Sequence, residues 1–250
     1  MTDSILIPAR FNGPPRSANG GYACGIAARA STHGAAEVSL RVPPPVDHPL
    51  RLERDAERVT LYDGDELIAH SEPATVDVAL PEPVTLAEAE KAAAGFDFDR
   101  YRAQHVFPGC FTCGPDRAAG DGMRLFPGKV DRPESIVAWP WQPDSSLPTH
   151  EGALDPAIAW AALDCPSGWA WYYEPRPRPH VLGRLAAEVH RLPEPGERTV
   201  VAGWQLGSTG RKARSAAAVW SAAGELLAVG SATWIELSEE QFERFRGSVS

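Results

Sequence analysis

The chain has 250 residues, 43% hydrophobic and 23% charged, which is the balance of a globular protein long enough to bury a substantial core. A net charge of −9 argues against the basic surface that nucleic-acid binding requires, so no nucleic-acid partner is predicted. No stretch approaches the roughly 20 apolar residues that span a bilayer, and no signal-peptide pattern opens the chain. We therefore expect a cytoplasmic protein without a membrane anchor, whose cysteines stay reduced.

Two blocks of sequence recur in the same order, one pair in each half. AAEVSLRVPPP (35–45) matches AAEVHRLPEPG (186–196), and DELIAHSEPATVDV (65–78) matches GELLAVGSATWIEL (224–237). A helix candidate precedes each pair, SANGGYACGIAARA in the first half and LDPAIAWAALDC in the second. Two copies of a helix with antiparallel strands predict an α+β architecture with a pseudo-two-fold axis.

In chain order, helices are predicted to begin near Asn19 and Asp155, with a short linker helix from Thr85 to Ala94. Runs of β-branched or alternating apolar residues predict strands at 36–42, 57–63, 66–71, 184–192, 199–206, 212–220 and 225–237. These elements divide the chain into an N-terminal unit, a linker, a C-terminal unit and a tail, at 1–80, 81–105, 106–238 and 239–250.

The duplicated pattern resembles the double hotdog fold of acyl-CoA thioesterases. Asn19-Gly20-Gly21 is similar to the Gly-Gly that opens the central helix of many hotdog thioesterases, and LDPAIAWAALDCPSGWAW resembles the helix of the thioesterase II group, whose aspartate falls on Asp164. GRKARSAAAVWSAAGELLAVGSATW resembles that group's closing hairpin, and CFTCGPDRAAGDGMRLFPG is similar to the run that begins many single hotdog domains. The resemblance implies a hydrolase that acts on a small acyl thioester linked to coenzyme A or to a carrier. The substrate would bind in a pocket between the two halves, and the protein could form a homodimer.

Thioester hydrolysis needs a polarised carbonyl and an activated water. The free N–H groups of the helix that begins at Asn19, Gly20 and Gly21 would supply the first, although the same residues also suit a simple loop-to-helix turn. Asp164 would be the general base, with a pKa raised by its apolar neighbours, unless it merely ends a helix before Pro166.

Further residues have two interpretations each. Arg211 and Lys212 would bind the substrate, or belong to a solvated turn. Four tryptophans would line an acyl tunnel or pack in the core: Trp160, Trp169, Trp171 and Trp204.

The sequence departs from the thioesterase II pattern where that group orients its water. Ala186 and Ala232 fall at the positions of a Thr or Ser and a Gln, and alanine cannot orient water. A binder of acyl thioesters without hydrolytic activity is therefore the alternative function. A weaker alternative is a hotdog enoyl-CoA hydratase, for which Asp144 and His150 would be the catalytic pair.

The cysteine pair Cys110-x-x-Cys113 is half of a possible zinc site, since structural zinc needs four ligands. Cys24 and Cys165 are isolated in the sequence, and His105 could contribute only if one of them folded nearby. The pair is interpreted as small thiols that pack a tight loop, and neither a bound metal nor a cofactor is expected.

Overall fold

The protein's structure is a computed structural model that describes residues 2–29, 34–55, 58–174 and 179–247. Ala30 and Glu57, at the ends of two predicted elements, and the last three residues of the predicted tail lie outside these ranges. Within them, no helix is both long and apolar enough to cross a membrane.

The described residues form five α-helices and thirteen strands. The helices are α1 Gly20–Arg29, α2 Leu86–Ala94, α3 Phe98–Gln104, α4 Pro156–Trp169 and α5 Glu239–Gly247. The strands of the first half are β1 Thr2–Leu6, β2 Ala35–Leu40, β3 Pro49–Arg54, β4 Val59–Asp63 and β5 Glu66–Pro73. The later strands are β6 Gly128–Lys129, β7 Ile136–Trp141, β8 Thr149–His150, β9 Ala153–Leu154, β10 His180–Val189, β11 Thr199–Thr209, β12 Lys212–Ser221 and β13 Leu226–Glu236.

Side-chain caps fix where the predicted helices begin. The Asp155 carboxylate accepts the N–H of Ala157 at 2.9 Å, and Pro156 occupies the first turn of α4, where no N–H is needed. Thr85 caps α2 and forms a reciprocal capping box with Glu88. The predicted starts of α4 and of the linker helix are therefore confirmed.

Eleven of the described strands form one antiparallel sheet, in the order β1-β3-β4-β5-β2-β10-β13-β12-β11-β7-β6. The two copies of the sequence AAEV, residues 35–38 and 186–189, lie in the paired central strands β2 and β10, where Ala36 is opposite Ala187. Because these two alanines are equivalent in the repeat, the pseudo-two-fold axis passes between them. The predicted α+β architecture with duplicated helix-wrapped sheets is confirmed.

Helices α1 and α4 pack against each other on one face of this sheet, through residues that have little or no side chain. A Cβ atom added to Gly25 would lie 2.6 Å from the Cα of Ala157, and one added to Gly21 would lie 2.4 Å from the Cβ of Asp164. Both distances are below any real Cβ contact, so glycine is required at both positions. This close approach brings the N-terminus of α1 next to Asp164.

The opposite face of the second half is covered by the linker. Ala89 and Ala92 of α2 pack against a cluster that includes Ile136 of β7, Val200 of β11 and Trp220 of β12. The second half of the sheet is therefore buried on both faces, which explains why its strands have nearly continuous apolar sequences.

Six of the described strands were not predicted: β1, β3, β7 and the two-residue strands β6, β8 and β9. In β3, Leu50 and Leu52 are buried while their neighbours are half-buried or exposed, but Pro49 at its start obscures the alternation. Pro140 does the same within β7, and β1 is a short edge strand that pairs with β3. The predicted tail also contains α5.

Candidate active site

A cavity of about 710 Å³ opens where α1, α4 and the central strands meet. Asn19 and Gly20 line it from the first half, and Asp164 lines it from the second. Apolar side chains provide much of the remaining wall, among them Leu182 and Trp234. The cavity thus combines a polar corner with an apolar wall, as small-molecule sites usually do.

Asp164 forms the centre of the polar corner. Its Oδ2 atom accepts hydrogen bonds from Asn19 Nδ2 at 2.8 Å and from the Gly21 N–H at 2.9 Å. Its Oδ1 atom is buried and has no hydrogen-bond partner among the described residues. Burial raises the pKa of Asp164 to about 7, and the bond from the Gly21 N–H opposes that rise in part.

The prediction that Gly21 offers a free N–H group to the substrate is wrong. The Gly21 N–H already donates to the Asp164 carboxylate, so it is not free for a substrate carbonyl. Asn19 is committed as well, because its Oδ1 accepts the Tyr22 N–H at 2.9 Å and caps α1. The remaining candidate donor is the N–H of Gly20, which lines the cavity and has no hydrogen-bond partner among the described residues.

The structure also corrects the placement of the water-orienting positions. On β10 and β13, Ala186 is opposite Ser231, whereas Ala232 is opposite Leu185. Directly opposed residues share a face of a sheet, so Ala186 and Ala232 lie on opposite faces. Leu185 and Ala232 belong to the core that contains α1 and α4, and Ala186 faces away from it. The position on β10 that faces the helices is therefore leucine.

The predicted substrate cations lie in the turn between β11 and β12. Arg211 donates to the Glu236 carbonyl and, at 2.6 Å, to the Oε1 atom of Gln241, a residue that lines the cavity. Lys212 is exposed and does not line the cavity. The structure thus brings Arg211 next to the cavity rim and leaves Lys212 outside it.

Of the tryptophans and the hydratase candidates predicted from the sequence, only two residues line the cavity. Trp169 and Trp171 line the cavity, whereas Trp160 lies in the core and Trp204 lies on the other face of the sheet. The two candidates for a hydratase, Asp144 and His150, are exposed and do not line the cavity.

Cys165, which is isolated in the sequence, folds next to the cysteine pair. Its Sγ lies 3.8 Å from the Sγ of Cys110, and Cys113 and His105 are adjacent, with 3.4 Å between Cys113 Sγ and His105 Nε2. Hydrogen bonds from the Cys113 and Cys165 thiols hold the pKa of Cys110 well below its usual range. Cys24 lies apart, in the main core, where burial raises its pKa. No sequence spacing relates Cys165 to Cys110; the packing of α4 brings them together.

Comparisons with known proteins bear on the fold. No family model and no curated protein matches the sequence. A hot dog fold protein from Alicyclobacillus acidocaldarius matches this structure with a TM-score of 0.62 and 12% identity, over 95% of this chain and 93% of that one. A candidate thioesterase from Novosphingobium aromaticivorans DSM 12444 matches with a TM-score of 0.61 and 14% identity, over 95% and 96% of the two chains.

A third match is an acyl-CoA thioesterase II from Mycobacterium marinum, with a TM-score of 0.58 and 12% identity over 94% of this chain and 93% of that one. All three matches span both halves and both central helices. The chain has the double hotdog fold. At these identities the likeness concerns the fold alone, so the chemistry of this double hotdog chain has to be argued from its own residues.

Proposed function

We propose that the protein hydrolyses a small acyl thioester, carried by coenzyme A or a related pantetheine carrier, in the cavity between its two halves. The observation that carries the proposal is the state of Asp164, a buried carboxylate with one oxygen fixed by two donors and the other unpartnered among the described residues. A fixed carboxylate whose second oxygen has no protein partner can act as a general base toward a water molecule that enters the cavity.

The proposed reaction uses the polar corner of the cavity. The substrate carbonyl accepts a hydrogen bond from the Gly20 N–H, at the positive end of α1. A water molecule attacks the carbonyl carbon while its proton passes to Oδ1 of Asp164. When the tetrahedral intermediate collapses, the carbon–sulfur bond breaks and Asp164 returns the proton to the leaving thiolate. Asn19 and Gly21 keep the carboxylate in place throughout.

The remaining wall suits the acyl group. Leu182, Trp171 and Trp234 present apolar surface to the cavity, which favours an acyl chain over a charged one. None of the four cysteines forms a disulfide, consistent with action in the cytoplasm, where cysteines stay reduced.

A second candidate is an acyl-thioester binder without hydrolytic activity. It is favoured by one observation, that Leu185 and Ala232 occupy the helix-facing positions of β10 and β13 next to α4. Neither side chain can hold a water molecule against the carboxylate. In this case Asp164 would serve only to join α1 to α4.

The substitution Asp164→Asn distinguishes the two functions. The asparagine oxygen can still accept both hydrogen bonds, while the base is lost, so hydrolysis of short, medium, long and aromatic acyl-CoA substrates should fall by roughly 10²- to 10⁴-fold. The control is Asp144→Asn, which changes an exposed aspartate outside the cavity. Equal loss in both variants, or none in either, contradicts the role of Asp164. Acyl-CoA binding without turnover in the wild type supports the binder.

A further inference from the structure

Three cysteines and a histidine converge at the wall of the cavity. The Sγ atoms of Cys110, Cys113 and Cys165 all lie within 4.8 Å of one another, and all three residues are buried. His105 adds a ring nitrogen 3.4 Å from the Cys113 Sγ. The set joins three parts of the chain: the end of α3, the loop that follows it and the middle of α4.

Two separations in this cluster match those of a tetrahedral zinc site. Zinc–sulfur bonds of about 2.3 Å at tetrahedral angles place the sulfurs about 3.8 Å apart, and a histidine nitrogen about 3.5 Å from each sulfur. The structure has 3.8 Å between Cys110 and Cys165, and 3.4 Å between Cys113 and His105. The Cys-x-x-Cys spacing of the first two ligands is also the usual one for structural zinc.

A side-chain amide faces two of the three sulfurs. Asn19 Nδ2 lies 3.9 Å from Cys110 Sγ and 3.7 Å from Cys165 Sγ, so an amide hydrogen points toward two of them. Amide donors of this kind stabilise metal-bound thiolates and orient them. A disulfide between Cys110 and Cys165 would need the sulfurs at about 2.05 Å and would leave Cys113 without a role.

The turn between the paired cysteines is built for close packing. A Cβ atom added to Gly114 would lie 2.5 Å from the carbonyl oxygens of both Pro108 and Cys110. The Gly114 N–H donates to the Cys110 carbonyl at 2.8 Å, which folds the chain tightly around the sulfur. Only glycine permits this turn, and the turn places Cys113 beside Cys110.

We propose that Cys110, Cys113, Cys165 and the Nε2 atom of His105 bind one zinc ion, which ties the loop after α3 to α4. The three thiols release their protons to solvent on binding, so the site carries a net charge of about −1. In this structure His105 Nδ1 accepts the Phe107 N–H at 3.0 Å. Coordination through Nε2 places the ring proton on Nδ1, so that hydrogen bond breaks when the metal binds. This proposal departs from the sequence-based expectation that no metal binds, because Cys165 supplies a third sulfur next to the pair.

The test measures metal in the whole chain. The protein is produced with zinc in the medium and purified with a reductant but without a chelator. Elemental mass spectrometry should then find about one zinc ion per chain. Cys110→Ala and Cys165→Ala should lose that metal. Cys24→Ala is the matched control, because Cys24 is also buried but lies outside the cluster. A wild type that holds no zinc and binds none at micromolar concentration, or cysteine variants that retain it, would overturn the site.

A second measurement does not depend on whether the variants fold. Cobalt replaces zinc in the wild type, and thiolate-to-cobalt absorption bands in the near ultraviolet should appear on titration and saturate at about one equivalent. Absence of these bands overturns the thiolate ligands. His105→Ala should keep the bands and weaken binding by at least roughly tenfold. Unchanged affinity in that variant would overturn His105 as the fourth ligand.

Discussion

At the scale of single residues, the contact between Gly21 and Asp164 determines both structure and chemistry. The backbone of α1 comes close enough to donate a hydrogen bond to the carboxylate only because Gly21 has no side chain. The carboxylate in turn pairs the donors that the start of α1 would otherwise leave unsatisfied. Removing the carboxyl group therefore leaves buried donors unpaired, and we expect Asp164→Ala to be destabilising as well as inactive.

Gly21→Ala should lower the free energy of unfolding by more than an ordinary helix substitution. The new Cβ would lie 2.4 Å from the Asp164 Cβ and 2.6 Å from the Trp160 carbonyl oxygen, so α1 and α4 must move apart. Overpacking of this kind costs about 1–3 kcal/mol or more, measurable by urea denaturation. Gly95→Ala is the control, since its nearest neighbour would be 3.7 Å away. Similar effects at both glycines would show that the helices can separate freely.

Arg211→Ala should raise KM for acyl-CoA substrates more than it lowers kcat. The guanidinium is held beside the cavity rim by Glu236 and Gln241, where it can meet the phosphates of a bound coenzyme A. An interaction that binds the substrate and the transition state equally affects KM and leaves kcat unchanged. We therefore expect KM to increase by roughly 5- to 10-fold. Lys212→Ala, the next residue along the chain, should change KM little, because the Lys212 side chain has no hydrogen bond to a cavity-lining residue among the described residues. A larger effect from Lys212 would reverse the assignment.

At the scale of elements, α2 illustrates how a linker becomes part of the core. Arg132 donates hydrogen bonds from Nε and Nη2 to the Glu88 carboxylate, both at 2.8 Å. It also donates to the backbone carbonyls of Glu82 and Pro83. These contacts fix the start of α2 over the loop between β6 and β7. The helix then covers the outer face of the second half of the sheet.

The contribution of Glu88 to stability should depend on pH. Bonds from Arg132 and from the Thr85 N–H lower the pKa of Glu88 to about 2. Because this pKa is lowered on folding, the Glu88 carboxylate stabilises the fold above its ordinary pKa of 4.5. That stabilisation is lost as the pH falls toward 2. The melting temperature of the wild type should therefore exceed that of Glu88→Gln near about pH 6, and the difference should close by about pH 2. Glu66→Gln, an exposed substitution on β5, is the control; a constant difference across the range would contradict the linkage.

The sequence predicted those elements whose signals are local. The caps at Thr85 and Asp155 are read from adjacent residues, and the repeated AAEV marks equivalent strands without any structure. Contacts between distant segments could not be predicted, because they depend on how closely α1 and α4 approach. That approach decides the partner of Asp164, and the packing of α4 decides the position of Cys165. The face on which Ala186 lies follows from the register of β10 with β13. The proline-containing strands β3 and β7 were missed because proline ordinarily ends a strand.

At the scale of the whole molecule, the two halves share one sheet and one helix pair. Strands β2 and β10 pair across the axis, and α1 is buried against α4 over most of its length. Separation would expose the buried residues of both helices and create two new sheet edges. We therefore expect residues 1–80 and residues 81–250, produced separately, to be unfolded or aggregated.

The two fragments produced together should recover the native spectrum. Circular dichroism and co-purification through a tag on one fragment measure the recovery. The uncut chain, and each fragment alone, serve as controls. A fragment that melts cooperatively by itself would show that each half is an independent folding unit.

The duplication has a genetic consequence that follows from the unlike sequences of its two helices. Counted from the first residue of each helix, α1 has Ala28 where α4 has Asp164. In a pair of identical chains, every substitution would appear twice and both copies of a site would change together. In this chain one helix could lose its acidic residue while the other helix kept it, so the sequences of the two halves could diverge independently. The expected stoichiometry is accordingly one acyl ligand for each 250-residue polypeptide.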